Sequence, residues 1–411
     1  MHLELVTIGT ELLLGFTVDT NGAALGRALA ETGVRVTRRT AVADDALAIE
    51  AAVRDALGRT GAVVTTGGLG PTRDDVSKRA VAAVFGAPLR FDPGVWDDVM
   101  ARFHRLGRAP SPANRSQAEV PEGAVVLRNR WGTAPGLWLE GPEGLVVMLP
   151  GVPREMRMLL EHEVLPRLRI RSGDRVVRSL VLRTTSIPES TLGERVGPLE
   201  DELAPVTVAY LPGPHGVDLR LTVWDRPPEE AGRLLEQAAG RLEVALGPQA
   251  YARGDTDLAA VVLDTLRARG LTLSLAESCT GGLLGARITG VPGSSDVFHG
   301  GAICYADRLK VALVGVDQSL LAAHGSVSVE VAGAMARGAR SRFETDTAVG
   351  VTGIAGPAGG TDGKPVGTVC VGWVVADREE TRRVVFPGDR AEIRERASQF
   401  ALHRLWRMVL D

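Results

Sequence analysis

The stretch AVVTTGGLGPTRDDVSKRAVAAVFG, residues 62–86, passes from a β-branched apolar run through a glycine turn into an alanine-rich helical pattern. That passage is the grammar of a parallel βαβ unit. The same alternation precedes it. LELVTIG reads as a strand, and TNGAALGRALAETG as a helix starting near Asn21 and stopping at Gly33. VRVTRRTAV reads as a second strand and DDALAIEAAVRDALGRTG as a second helix. Residues 1–168 are therefore expected to form an α/β domain on a parallel sheet. The glycine turn is neither a P-loop, since the Gly-Lys-Ser/Thr ending is missing, nor G-x-G-x-x-G. Two readings stand for it. Gly67, Gly68 and Gly70 offer backbone N–H groups at the mouth of a sheet, where phosphates settle; or they only permit positive φ in a tight turn.

Acids surround this turn. Asp74 and Asp75 follow it directly, and Thr72 with Asp75 fits a capping box. A capping acid beside a phosphate repels it unless a divalent cation intervenes, and Mg²⁺ is commonly held by one or two carboxylates plus phosphate oxygens. Asp44 and Asp45, before the second helix, and Glu11, after the first strand, belong to the same end of the expected sheet. Each is also an ordinary capping or solvated acid.

Past residue 168 the pattern changes. VRSLVLRTTSI, PESTLGERVGPLEDEL, VTVAYLPGPHGVDLRLTVW and PPEEAGRLLEQAAGRLEVAL read as strand, helix, hairpin and helix. Residues 169–252 are thus expected to form a small α+β domain. It lacks a GxxG loop followed by a basic helix, so it is not read as an RNA-binding module. Residues 253–411 return to α/β grammar with Gly- and Val-rich strands.

In this third block SLAESCTGG (274–282) places Ser278, Cys279 and Thr280 at a strand-to-helix junction. A nucleophile there is held by the sheet, and the amides of Thr280, Gly281 and Gly282 at a helix start can stabilise an oxyanion. The plainer reading makes Ser278 or Thr280 an N-cap. A serine nucleophile needs a base. His299 and His324 stand in no motif, whereas GGAICYADRLKVALVGV (300–316) supplies Tyr305 and, on the first turns of a helix, Lys310. A desolvated lysine can take a hydroxyl proton and a tyrosine can orient it. GVTGIAGPAGGTDGKPVGTV (350–369) is a long loop of the kind usually kept for function. In it Thr352, Gly353 and Gly356 can approach a ligand and Lys364 can cover it. FPGDR (386–390) adds Arg390, suited to a phosphate or carboxylate.

Composition removes other classes. Aromatics make up 4% of the 411 residues and the formal net charge is -3, so neither a base-stacking surface nor a basic nucleic-acid footprint is expected. No window approaches the roughly 18 apolar residues of a membrane span, and MHLELVTIGTELLLG does not read as a signal peptide. Cys279, Cys304 and Cys370, an odd number without a CxxC pair, suit reduced thiols in the cytoplasm rather than disulfides or zinc.

TTGGLGPTRDDVS resembles the loop of MoaB/MogA-like molybdopterin-binding domains. IGTELLLGFTVDTNGAALGRAL, GTAPGLWLE (132–140) and LPGVPREM (149–156) narrow the likeness to the competence/damage-inducible CinA family. The resemblance implies hydrolysis of ADP-ribose at its pyrophosphate with a divalent cation of the Mg or Co type. The functional acids map to Asp75 and, after the strand VRVTRRTAV, to Asp44, with Asp74 adjacent; Ser77 stands where the motif has Thr. AESCTGG, VTGIAGPAGGT, KPVGTV and FPGDR resemble the same family's C-terminal, PncC-like nicotinamide mononucleotide deamidase domain. By that resemblance Ser278 is the nucleophile, Tyr305 and Lys310 are its partners, and no cofactor is required. After Tyr305 the family often has Ser-Asn, where this chain has Ala306 and Asp307, and Asp307 can pair with Lys310 at i,i+3. The resemblance implies a bifunctional pyridine-nucleotide salvage enzyme acting as a homodimer on nicotinamide mononucleotide and ADP-ribose, without membrane or nucleic-acid partners. The competing class is a molybdopterin- or nucleotide-binding or competence-associated protein whose N-terminal site is inactive.

Overall fold

The computed structural model describes residues 1–173 and 175–411. They form two compact units: Met1–Arg178 with Val223–Leu234, and Ser179–Thr222 with Leu235–Asp411.

In the first unit the strands are β1 (His2–Ile8), β2 (Arg35–Val42), β3 (Ala62–Thr66), β4 (Leu89–Phe91), β5 (Glu119–Pro121), β6 (Val125–Leu127), β7 (Gly136–Gly141) and β8 (Gly144–Leu149). Six of them build one sheet in the order β2-β1-β3-β8-β7-β6, while β4 and β5 pair separately. The β2-β1-β3-β8 half is parallel, as the alternating pattern predicts. The other half is antiparallel, because only Pro142 and Glu143 connect β7 to β8, and a two-residue link cannot make a crossover. Both faces of the sheet are covered. Val6, Ile8, Val63, Val146 and Met148 pack on one side with the helices Ala46–Thr60 and Ser77–Val84; Leu3, Leu5, Val64, Val147 and Leu149 pack on the other. This period-2 division of apolar residues between two faces is what a doubly covered sheet needs. Asp19 and Asp45 cap the helices Thr20–Ala30 and Ala46–Thr60 by accepting from the amides of Gly22 and Ala48.

The middle segment supplies β9 (Val176–Thr184), β10 (Thr207–Gly213), β11 (Gly216–Arg226) and β12 (Ala250–Arg253), with the helices Glu189–Glu200 and Pro228–Leu246 between them. The element order is βαββαβ and the sheet order β10-β11-β9-β12. The short fourth strand, which carries no alternating pattern of its own, goes beyond the sequence reading. Its Tyr251 is buried in the core of the C-terminal domain.

That domain contains β13 (Leu273–Glu277), β14 (Phe298–Ile303), β15 (Thr347–Gly353), β16 (Thr368–Val375) and β17 (Arg378–Val385), in sheet order β14-β13-β15-β16-β17. β14, β13 and β15 run parallel, and β16 and β17 add antiparallel. The helices Leu258–Ala268 and Arg390–Leu410 bury one face, and Val329–Phe343 the other. The C-terminal ends of β13, β14 and β15 therefore lie side by side, and the motif residues leave the sheet there. Among the described residues no helix is long and apolar enough to cross a membrane.

Candidate functional site

Ser278 is the first residue past β13. Its amide still donates to the Val351 carbonyl of β15 at 2.9 Å, so the sheet fixes its position. The chain then turns sharply: Gly281 N–H returns to the Ser278 carbonyl at 3.1 Å. Gly281 and Gly282 take φ of 59° and 91°, a conformation that side chains with a Cβ resist. Ser278 is 7% exposed, and among the described residues its hydroxyl has no hydrogen-bond partner.

The expected helix cap is a different residue. Neither Ser278 nor Thr280 caps the helix, which runs Leu283–Thr289. Glu277 does: its carboxylate accepts from Gly282, Leu284 and Gly285 at 3.0, 3.1 and 2.7 Å. This corrects the expected oxyanion donors. The amides of Gly281 and Gly282 are already taken, and those of Cys279 and Thr280 are the ones in the turn with no acceptor among the described residues. Cys279 points into the core against Gly353, whose added Cβ would stand 3.0 Å from its sulfur. Burial pushes its thiol up to about 12, so little thiolate forms at neutral pH. Thr280 is fully buried with an unpartnered hydroxyl, while its carbonyl accepts twice from Arg394, at 3.1 and 2.7 Å.

Cys304 N–H donates to the Glu277 carbonyl at 2.7 Å, which brings the end of β14 beside the Ser278 turn. There Tyr305 is 59% exposed, and its hydroxyl accepts from Arg390 at 2.9 Å. Lys310, on the helix Asp307–Val314, is 1% exposed. Its Nζ donates to Asp307 Oδ1 at 3.1 Å and to the Tyr305 carbonyl at 3.5 Å. Thr352 donates to the Ser326 carbonyl at 2.8 Å. Lys364, expected over a ligand, is anchored to the His324 carbonyl at 3.0 Å. Arg390, expected to be free for a phosphate, spends one nitrogen on the Gly356 carbonyl at 2.7 Å and another on Tyr305. It clasps the glycine loop to the end of β14, with three of its five N–H groups left over. Next to it a cleft opens, lined by Ala355, Pro357, Val366, Gly388, Arg390 and Arg394. His299 and His324 make their contacts elsewhere, with Phe343 and Glu330.

In the first unit the glycine turn follows β3. A Cβ on Gly67 would stand 2.2 Å from the Ile8 carbonyl, and one on Gly68 would stand 2.0 Å from Ser77 Oγ, so both positions require glycine. Of the three expected anion donors two are committed: Gly67 N–H goes to the Leu149 carbonyl, and Gly70 N–H to Asp75 Oδ1 at 2.7 Å. Gly68 N–H has no acceptor among the described residues. Asp75 is not the N3 residue of a capping box, since the helix begins at Ser77. It closes its own turn, accepting from Gly70 N and from the amide and hydroxyl of Thr72. The Thr72 hydroxyl, then the backbone, holds the Asp74 carboxyl below the usual range. Asp44 is tied to the amide and hydroxyl of Thr10, at 2.8 and 3.0 Å. Among the described residues no three His, Cys, Asp or Glu side chains group around a possible ion. Asp44, Asp74 and Asp75 do not amount to a resident metal cage, and Asp75 offers the only carboxylate at the turn that lines a cleft.

The residues missed are cationic. The cleft that begins at Gly70 and Asp75 is also lined by Arg73, Lys78, Arg79 and Arg115. A compositional signal marks one of them: the chain has three lysines, Lys78, Lys310 and Lys364, against forty-four arginines. All three lie at these two sites.

Three family models match the chain in succession. Residues 4–170 match the family described as "Probable molybdopterin binding domain", residues 179–252 the "Damage-inducible protein CinA KH domain", and residues 255–409 the "CinA C-terminal domain". A CinA-like protein of Gemmatimonas aurantiaca is 52% identical over 99% of this chain and 96% of its own. One of Salinibacter ruber is 44% identical over the full length of both. A solved competence or damage-inducible protein from Enterobacter asburiae is 32% identical and covers 37% of this chain and 96% of its own, with a TM-score of 0.36. With relatives this similar from end to end, and three consecutive domains matched in order, the chain belongs to the CinA family.

Proposed function

We propose that the C-terminal domain is an amidase that hydrolyses nicotinamide mononucleotide to nicotinic acid mononucleotide and ammonia. The observation that carries this reading is the unpartnered Ser278 hydroxyl just past β13, next to the end of β14, from which the helix carrying the fully buried Lys310 departs. Ser278 Oγ adds to the carboxamide carbon while its proton passes to a neutral Lys310 Nζ. The amides of Cys279 and Thr280 receive the oxyanion. Lys310 returns the proton to the departing nitrogen, releasing ammonia, and water then cleaves the acyl-enzyme by the same route. Tyr305, fixed by Arg390, orients the substrate at the exposed side.

For the N-terminal domain we propose hydrolysis of ADP-ribose to AMP and ribose 5-phosphate, with the pyrophosphate in the cleft of Arg73, Arg79 and Arg115. No step is assigned to a resident metal. A second reading is favoured there by one observation: Asp75 is engaged by its own turn, which suits nucleotide or molybdopterin binding without turnover.

Ammonia release from nicotinamide mononucleotide by wild type, Ser278→Ala and Cys279→Ala tests the first reading. Ser278→Ala should fall by at least about 10³-fold, and Cys279→Ala should retain activity; the reverse pattern moves the nucleophile one residue. AMP formation from ADP-ribose, with and without Mg²⁺, tests the second. Binding without turnover leaves the domain a receptor.

A further inference from the structure

Lys310 holds an unusual position for a cation in this chain. Arginine serves at forty-four of forty-seven basic positions, yet the most buried one carries lysine, the only one of the two that can lose its proton in a protein. Lys310 lies near enough to Cys304, just past β14, for its charge to act on that thiol, and Cys304 belongs to an apolar cluster with Val314, Val331 and Met335. His324 faces Glu330, and the Tyr305 hydroxyl is held by Arg390. Among the described residues Lys310 forms an ion pair with one carboxylate, that of Asp307, one turn earlier on the same helix. The neighbouring Ser326 hydroxyl, then Lys310, holds the Asp307 carboxyl below the usual range. The Ser326 carbonyl in turn accepts from Thr352, at the end of β15. A chain of contacts thus runs from Lys310 through Asp307 and Ser326 to the third strand end of the site.

We propose that Asp307 is a positioning residue of the amidase, anchoring Lys310 Nζ between the Tyr305 carbonyl and the Ser326 loop and setting the pH at which Lys310 becomes a free base. This rests on the reading of Lys310 as the base for Ser278. Asp307 supplies a full charge at Lys310, so activity should rise at higher pH than a neutral amide at this position would allow.

The test uses the full-length protein labelled with ¹³C,¹⁵N-lysine. Only three ε-methylene signals arise, assigned by Lys78→Arg, Lys310→Arg and Lys364→Arg. Removing a charge 3.1 Å from an ammonium should lower the Lys310 titration midpoint in Asp307→Asn by about 1–3 pH units. Lys78 and Lys364 should not move. The pH at which ammonia release reaches half its maximum should fall by the same amount with KM unchanged, and Asp307→Glu should return both values toward wild type. A Lys310 midpoint unchanged in Asp307→Asn overturns the proposal, as does a shifted midpoint without a shifted activity limb. Wild type that releases no ammonia from nicotinamide mononucleotide at any pH overturns the amidase reading itself, and with it any role of Asp307 in catalysis.

Discussion

Lys78 is 4% exposed, and its ammonium donates to the Ser116 carbonyl without a carboxylate in contact. Burial pulls its pKa from the ordinary lysine value of 10.5 down to about 8. The unfolded chain therefore binds a proton that the native state has released between pH 8 and 10.5, so the stability owed to this residue rises with pH across that window. Below pH 8 both states are charged and the cost is constant, at about 3 kcal/mol for the whole interval. Lys78→Met removes the titration. The difference in unfolding free energy between wild type and variant, measured in denaturant, should move in favour of wild type by up to this amount from pH 8 to 10.5; a constant difference would place Lys78 in solvent. Residues of this kind were hard to read from the sequence. Ser278 stood out because it sits in a strand-to-helix junction, but which of Ser278, Cys279 and Thr280 faces solvent depends on where the chain turns. Gly281 and Gly282 decide that, and they aim Cys279 inward.

At the scale of the element, the local period was informative wherever one strand or helix face is apolar. The parallel half of the N-terminal sheet and the helices capped by Asp19 and Asp45 follow directly from it. The antiparallel β7 and β6 and the short β12 did not, because their place is set by pairing with strands remote in sequence. Glu277 shows the same limit. A glutamate ending a strand reads as solvated, yet it is 3% exposed and, among the described residues, supplies the side-chain cap of the helix after the Ser278 turn. A charged acceptor for three orphan amides is worth more than a neutral cap. Gln keeps the shape but loses the charge and one acceptor oxygen. Glu277→Gln should lower the unfolding free energy by about 1.5–3 kcal/mol. It should also lower kcat for amide hydrolysis, since Gly282 and the amides before it lose their anchor. An unchanged stability would mean that the helix start is satisfied without the carboxylate.

At the scale of the molecule, the local patterns that separate 1–168, 169–252 and 253–411 say nothing of how these segments cohere. The helix Leu165–Ser172 runs through the first boundary. One compact unit joins Ser179–Thr222 to Leu235–Asp411, so most of the middle segment packs with the C-terminal domain. Long-range contacts of this kind leave no local period. Tyr251 of β12 belongs to the same apolar core as Leu273, Val349 and Trp373, and burial raises its phenol to about 12. Gln399, on the C-terminal helix, donates to Thr185 at 3.0 Å, and His215 meets Glu395, beside the Arg394 that grips Thr280. The middle segment thus contacts the C-terminal helix one residue from the arginine that holds the turn after Ser278. Tyr251→Ala should open a cavity costing about 3 kcal/mol. If β12 is part of this core, backbone amides of β13 and β15 should exchange about 100-fold faster in the variant by hydrogen–deuterium mass spectrometry, while those of β1 and β3 keep their rates. Equal protection of β13 and β15 in the two proteins would show that the middle segment is a passenger on the domain it touches rather than a part of it.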